Sequence, residues 1–174
     1  MKTCGRVIVL LALAVVGLSG CGFHLAGDRP LPPPLASVYI EVISPYGVAE
    51  PPLQSALQKR IERRGGIVRS RSDQAAAILR LSDLAEIQDT VAIGPDGKAV
   101  EYRLVERVRY ELDGGGKVAV APDTLTVSRD YSFNAQQILA KEAEQSRLRE
   151  YLQDQMAELL LLRLEASLRL NDAN

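Results

Sequence analysis

Val100-Glu101-Tyr102-Arg103-Leu104-Val105-Glu106-Arg107-Val108-Arg109-Tyr110-Glu111-Leu112 places Val100, Tyr102, Leu104, Val108, Tyr110 and Leu112 on one side of an extended chain, with Glu101, Arg103, Arg107, Arg109 and Glu111 on the other. A period of two marks a strand with one face on a core and one in water. Just upstream, Gly94-Pro95-Asp96-Gly97 is a hairpin turn, Asp-Gly supplying the positive φ that such turns need. Its antiparallel partner is residues 77–93, where Ala77, Leu79, Leu81, Ala85, Ile87, Val91 and Ile93 share one face against Arg80, Ser82, Glu86 and Gln88. Ile78 and Leu84 fall out of step with that pattern. Downstream, Asp113-Gly114-Gly115-Gly116 makes a second turn, after which Leu125, Val127, Tyr131 and Phe133 alternate with Thr126, Ser128, Asp130 and Ser132. Pro122 either delays regular pairing in that strand or places it at a sheet edge.

Val38-Tyr39-Ile40-Glu41-Val42-Ile43, rich in β-branched residues and bounded by Pro45 and Gly47, reads as a first, covered strand. Pro51 and Pro52 suit a helix's first turn, and Leu53, Ala56, Leu57 and Ile61 recur at threes and fours before Gly65-Gly66, giving a helix over 51–64. Lys59, Arg60, Arg63 and Arg64 complement its dipole. Ile67-Val68 could form a short strand. Asn134, with Gln137 three residues on, resembles a capping box, so a last helix is expected from about Ala135 to about Leu170. Leu148, Leu152, Met156 and Leu159 form its stripe, and four leucines from Leu159 to Leu162 must meet the rest of the core or a partner.

The order β-α-β-β-β-α implies an α+β two-layer domain, a mostly antiparallel four-stranded sheet with two helices packed on one face. The other face is left open, and it carries Arg103, Arg107 and Arg109, the candidate partner-facing or ligand-facing surface.

At the start of the chain, Lys2 and Arg6 precede an apolar run from Val7 to Val16, and Leu18-Ser19-Gly20-Cys21 closes it. This resembles a bacterial lipoprotein signal peptide with its lipobox, and the apolar run is shorter than the roughly 20 residues a spanning helix needs. By that resemblance residues 1–20 are removed and Cys21 receives acyl chains, each buried methylene contributing about 0.8 kcal/mol to the anchor. Gly22, where inner-membrane-retained lipoproteins commonly carry Asp, points to the periplasmic side of the outer membrane. Prolines between Asp28 and Leu35 favour a short extended spacer, so residues 21–36 are expected to be a lipid-anchored tether, 37–170 the domain and 171–174 a tail. Processing leaves 154 of the 174 residues and moves the formal charge from −1 to −3. That balance gives no field favouring nucleic acid. Cys4 departs with the signal and Cys21 with the lipid, so packing rather than a disulfide must hold the fold.

His24 is the only histidine, which excludes a triad using a histidine base and a zinc site built on histidines. Gly114–Gly116 lack the Lys-Ser/Thr of a phosphate loop, and Asp83, Glu86 and Asp89 are accounted for by strand alternation. Neither an enzyme, a metal nor a diffusible cofactor is expected, the only attached group being the covalent lipid on Cys21.

Cys21-Gly22-Phe23-His24-Leu25 is similar to the opening of the LptE family of outer-membrane lipopolysaccharide-assembly lipoproteins. Asp89-Thr90, Gly97, Glu101-Tyr102, Leu139-Ala140-Lys141-Glu142 and Glu144-Gln145 resemble that family's marks in the same order, over the whole processed chain. The resemblance implies a non-enzymatic partner of the LptD β-barrel that sits in the barrel as a plug and supports lipopolysaccharide transport to the outer leaflet. It also implies lipopolysaccharide binding. Lys141 lies in the matching Ala-Lys-Glu segment and is the first candidate contact. At the hairpin, Pro95 stands where some members are basic, and Lys98 is the candidate substitute. Phe23 and His24, next to the anchor, suit interfacial packing. Two other readings remain open: a tethered stand-alone lipid carrier, and an anchored hydrolase using a carboxylate pair.

Overall fold

The computed structural model describes residues 30–43, 51–115, 118–132 and 138–172. A helical turn, Pro33–Ala36, leads into strand β1 (Ser37–Val42), helix α1 (Pro52–Arg63), strand β2 (Ile67–Arg69), a 3-10 turn (Ser72–Gln74), strands β3 (Ala77–Ile93), β4 (Ala99–Asp113) and β5 (Val118–Ser132), and helix α2 (Ile138–Asp172). The α+β order holds. The sheet, however, has five strands rather than four, in the order β2-β1-β3-β4-β5, because Ile67–Arg69 pairs in parallel with β1 at one edge. β1 also runs parallel to β3, while the two long pairings, β3 with β4 and β4 with β5, are antiparallel.

Local chemistry accounts for the elements. Pro51 and Pro52 open α1, where the first turn has no use for their missing N–H groups. Its end is closed by Gly65 at φ +78 and by the Gly66 N–H donating to the Ile61 carbonyl at 2.9 Å. The Gly94–Lys98 turn closes through the Gly94 N–H to the Lys98 carbonyl at 2.7 Å, with Gly97 at φ +76. β5 begins well before Leu125 and runs through Pro122, since β5 is an edge strand and the register with β4 slips between Tyr110/Leu112, leaving an extra residue there. The expected cap at Asn134 and the strand end at Phe133 lie outside the described residues.

Both helices cover one face, as expected. Leu53, Leu57 and Ile61 of α1 and Leu152, Met156, Leu160, Leu164 and Leu168 of α2 are buried in one cluster with Val38, Ile40, Leu79, Leu81, Leu104, Val108, Leu112 and Leu125 of the sheet. Leu31 and Leu35 join that cluster. The Pro33–Ala36 segment forms a helical turn rather than an extended spacer, closed by the Leu35 and Ala36 N–H groups donating to the Pro32 carbonyl at 2.8 and 3.1 Å. Of the four consecutive leucines, Leu160 and Leu161 are buried and Leu159 and Leu162 exposed. Two sides are covered because α2 lies against both the sheet and α1. The α1 side is fixed by Arg60 with Glu158 at 3.5 Å and by Arg64 with the buried Glu165.

The long strand departs from simple alternation at Asp83, a non-glycine residue at φ 51. Ser82 pairs with Arg109 and Ala85 with Arg107, so β3 carries one residue more than β4 there. A bulge of this kind reverses which side chains face which side. Ala77, Leu79 and Leu81 point into the core as expected, whereas Ala85 and Ile87 turn to the open face. Ile87, Val91 and Ile93 are 40%, 43% and 68% exposed. Leu84, out of step in the sequence, sits at this reversal, which sends Leu84, Glu86 and Gln88 toward α2; Ile78 lies before it, in regular register opposite Asp113.

Candidate functional site

The open face of the sheet is built from the odd positions of β4, the matching positions of β5 and the reversed half of β3. Arg103, Arg107 and Arg109 all lie on it, but they do not form one cationic cluster. Arg103 is paired across the ladder with Asp130, its Nε and Nη2 donating to the two carboxylate oxygens at 2.6 and 2.9 Å. That fork holds Asp130 below the usual carboxylate range and raises Arg103. Arg80, nearer β1, is likewise neutralised by Glu41 at 2.9 Å, Glu111 at 3.1 Å and Asp113 at 3.6 Å.

Arg107 and Arg109 make no ion pair among the described residues. Their register explains why. Arg107 stands between Ala85 and Thr126, and Arg109 between Ser82 and Thr124, so no carboxylate sits directly opposite either. Two residues apart on one strand, their Cα atoms are about 7 Å apart and their side chains share a side. Both are exposed, beside the hydroxyls of Ser82, Thr124 and Thr126. This is a place where two guanidinium groups can meet phosphate or carboxylate oxygens in forked geometry at little desolvation cost.

The other candidates are elsewhere. Lys98 is in the hairpin turn, 73% exposed and 3.6 Å from Asp96, at the far end of the sheet from Arg109. Lys141 is in the first turn of α2. Cys21, Phe23 and His24 lie outside the described residues. Asp83, Glu86 and Asp89 do not converge: Asp83 occupies the bulge, Glu86 faces α2 and Asp89 lies opposite Arg103. No cluster of three or more His, Cys, Asp or Glu side chains suited to a metal occurs among the described residues, and no described helix is long and apolar enough to cross a membrane.

A second polar region lies on the helix side, under the first half of α2. Gln145 reaches Gln88 at 3.1 Å, the Arg149 Nε–H is shared between the two carboxylate oxygens of Glu86 at 2.9 and 3.0 Å, and the Gln153 amide donates to Glu106 at 2.5 Å. Arg129 lies over the Tyr151 ring at 5.7 Å, and Tyr102 stacks on Tyr131 at the same centroid separation. Glu106 is only 2% exposed. Burial, opposed by the Gln153 hydrogen bond, pushes its carboxyl up to about 7. It was legible as an acidic residue at an even position among Val100, Tyr102, Leu104, Val108, Tyr110 and Leu112, a signal the alternation reading passes over. At the other end, Asp123 accepts from the Thr124 N–H, the Tyr110 hydroxyl and Arg163, and is held below its ordinary value by them; burial raises Tyr110.

Known proteins place this arrangement. A family model described as LptE, lipopolysaccharide-assembly, matches residues 35–164. LPS-assembly lipoprotein LptE of Pectobacterium atrosepticum is 33% identical over 157 residues, covering 90% of this chain and 83% of that protein. Its Yersinia enterocolitica counterpart is 34% identical over 159 residues, covering 91% and 74%. In fold, the chain is similar to an uncharacterized lipoprotein B from Nitrosomonas europaea, with TM-score 0.64 at 23% identity, covering 83% of this chain and 91% of that one. It is also similar to rare lipoprotein B from Shewanella oneidensis, with TM-score 0.62 at 23% identity, covering 78% and 99%. The match across the sheet and both helices, at this identity to the curated relatives, means that the chain belongs to the LptE family, the non-enzymatic lipoproteins of lipopolysaccharide assembly.

Proposed function

We propose that this protein is held by lipid on Cys21 at the periplasmic side of the outer membrane and assembles with the LptD β-barrel as its plug. There it supports lipopolysaccharide transport to the outer leaflet and itself contacts lipopolysaccharide. The observation that carries the reading is the open sheet face, on which Arg107 and Arg109 are unspent among neutral hydroxyls while Arg80 and Arg103 are already neutralised. Barrel lumens are typically polar, and a plug needs a polar face that does not have to be desolvated to fit. Two forked cations about 7 Å apart also suit the phosphates of a glycolipid. Lys141 and Lys98 are secondary candidate contacts.

The test separates the two roles. Extraction in mild detergent should recover the anchored chain with a large β-barrel protein, and recovery without one, under conditions that preserve other outer-membrane complexes, refutes the plug. Arg107→Glu with Arg109→Glu should weaken lipopolysaccharide binding by tenfold or more, since each charge-assisted hydrogen bond contributes about 1.5–3 kcal/mol. Arg103→Glu should weaken it less, because that guanidinium is engaged by Asp130. Equal effects at all three positions, or none, refute the assignment to Arg107 and Arg109.

A further inference from the structure

The polar region beneath α2 contains three buried oxygens without a hydrogen-bond partner: Glu106 Oε1, Gln153 Oε1 and the Tyr131 hydroxyl. Two of them belong to side chains already joined, because Gln153 Nε2 donates to Glu106 Oε2 at 2.5 Å. With the acid ionised, its second oxygen and the oxygen of the amide bound to it are two buried acceptors without a donor. That is unfavourable, since both oxygens are shielded from water. A single proton on Glu106 Oε1 converts the pair into a closed ring of two hydrogen bonds, O–H to the amide oxygen and N–H to the carboxyl oxygen, and satisfies both orphans together.

We propose that Glu106 is carried as the neutral acid in a two-bond acid–amide pair with Gln153, and that this proton is a latch seating the first half of α2 on the sheet. Among the described residues one cation, Arg149, opposes it, and only weakly beside the effect of burial. From β3, Glu86 stands directly across the ladder from Glu106 and disfavours a second negative charge. From α2, Arg149 is that cation, and its Nε–H is shared between the two carboxylate oxygens of Glu86. From β5, the cross-strand partner is the apolar Val127, with Arg129 engaged over Tyr151 and Tyr131 a neutral phenol raised by burial. The other side-chain hydrogen bonds between this half of α2 and β3, Gln145 with Gln88 and Arg149 with Glu86, are exposed. The Glu106–Gln153 pair is therefore the buried polar contact of a seat whose apolar part is Leu148, Leu152 and Met156.

The test uses the full chain in detergent. The Glu106 side-chain carboxyl carbon, followed by NMR, should titrate with a midpoint near 7 rather than at the ordinary 4.5. Amide hydrogen exchange, corrected for intrinsic pH dependence, should show local opening of residues 145–156 rising about thirtyfold from about pH 5.5 to about pH 8.5, the ratio those two midpoints give by linkage. Residues 160–168, seated on buried leucines, should show no such rise. In Glu106→Gln the two amides can still form a two-bond ring without a titrating proton, so protection should become independent of pH. An ordinary carboxylate midpoint, a flat wild-type profile, or the same pH-dependent loss in Glu106→Gln overturns the latch. The carboxyl titration decides the question on the unsubstituted protein even if the variant fails to fold.

Discussion

Arg64→Met isolates the contact that joins the two helices. Glu165 is 5% exposed yet carries a carboxylate, which accepts from Arg64, the residue capping the end of α1, and from Arg169, one turn on, at 3.3 Å. Removing one partner of a buried pair typically costs 3–5 kcal/mol, because the remaining charge has lost its compensation. Arg169 survives in the variant, but it is half exposed, and exposed pairs contribute about 1 kcal/mol or less. The expected destabilisation is therefore about 3 kcal/mol. Glu165→Met should cost less, about 1–2 kcal/mol, since Arg64 can turn its head toward water along its stem. Replacing both by Met should come within about 1 kcal/mol of the unsubstituted chain, the volume being kept and both desolvation costs removed. Urea unfolding followed by circular dichroism in detergent, with an unchanged m-value, measures all three. If Arg64→Met costs under about 1 kcal/mol, or if the double variant equals the sum of the singles, the carboxylate is not held as a buried charge and the reasoning fails.

Two further perturbations follow from the same interior. At Asp83, glycine removes the penalty of a left-handed residue, so Asp83→Gly should be neutral or stabilise by up to about 1 kcal/mol, while the β-branched Asp83→Val should lose about 2 kcal/mol or more; equal denaturation midpoints for the two variants would falsify the bulge assignment. For pH, the Glu106 carboxyl is raised in the folded state to about 7 from an ordinary 4.5. The unfolded chain thus releases its proton first, and the stabilisation is fully present below about pH 4.5 and lost as pH rises to about 7. The loss is at most about 1.4 kcal/mol per pH unit, roughly 3 kcal/mol in all. Urea midpoints of wild type and Glu106→Gln across that window should converge or diverge by this amount, and parallel curves would rule it out.

Much of the fold is legible in single stretches because it depends on local rules. The Asp96-Gly97 turn, the Pro51-Pro52 opening of α1, the Gly65-Gly66 stop and the period of β4 each carry their own physical cause, and the elements formed there. What escapes is anything that depends on register. Whether Arg103, Arg107 and Arg109 form a patch turns on what stands opposite each of them. Asp130 faces the first, while threonines face the other two. The strand count depends on whether Ile67–Arg69 finds the edge of β1. Leu84 announces an interruption in β3, but only pairing with β4 locates the extra residue and shows that Ile87, Val91 and Ile93 have left the core. Glu106 escapes for the opposite reason, an expected apolar face absorbing one acid among six apolar positions.

The bulge at Asp83 has a consequence for the whole domain. β3 is about 56 Å long at strand rise and α2 about 52 Å at helix rise, so helix and sheet extend past one another's apolar contacts together. On the near side of the bulge they meet through leucines. Beyond it, the reversal gives α2 Glu86 and Gln88 to rest on, and gives the open face Ile87 beside Arg107. A strand serving only its own core would keep its apolar residues toward the helix, since burial contributes about 25 cal/mol per Å2 of apolar surface. Here Ile87 has been moved to the opposite side, on the diagonal from Arg107. The far half of β3 thus gives up internal stability, leaving a helix seat in which polar contacts and one shared proton supplement Leu152 and Met156. In exchange it presents an open surface that is part apolar and part cationic, a mixture with more use to a docked partner than to the isolated domain.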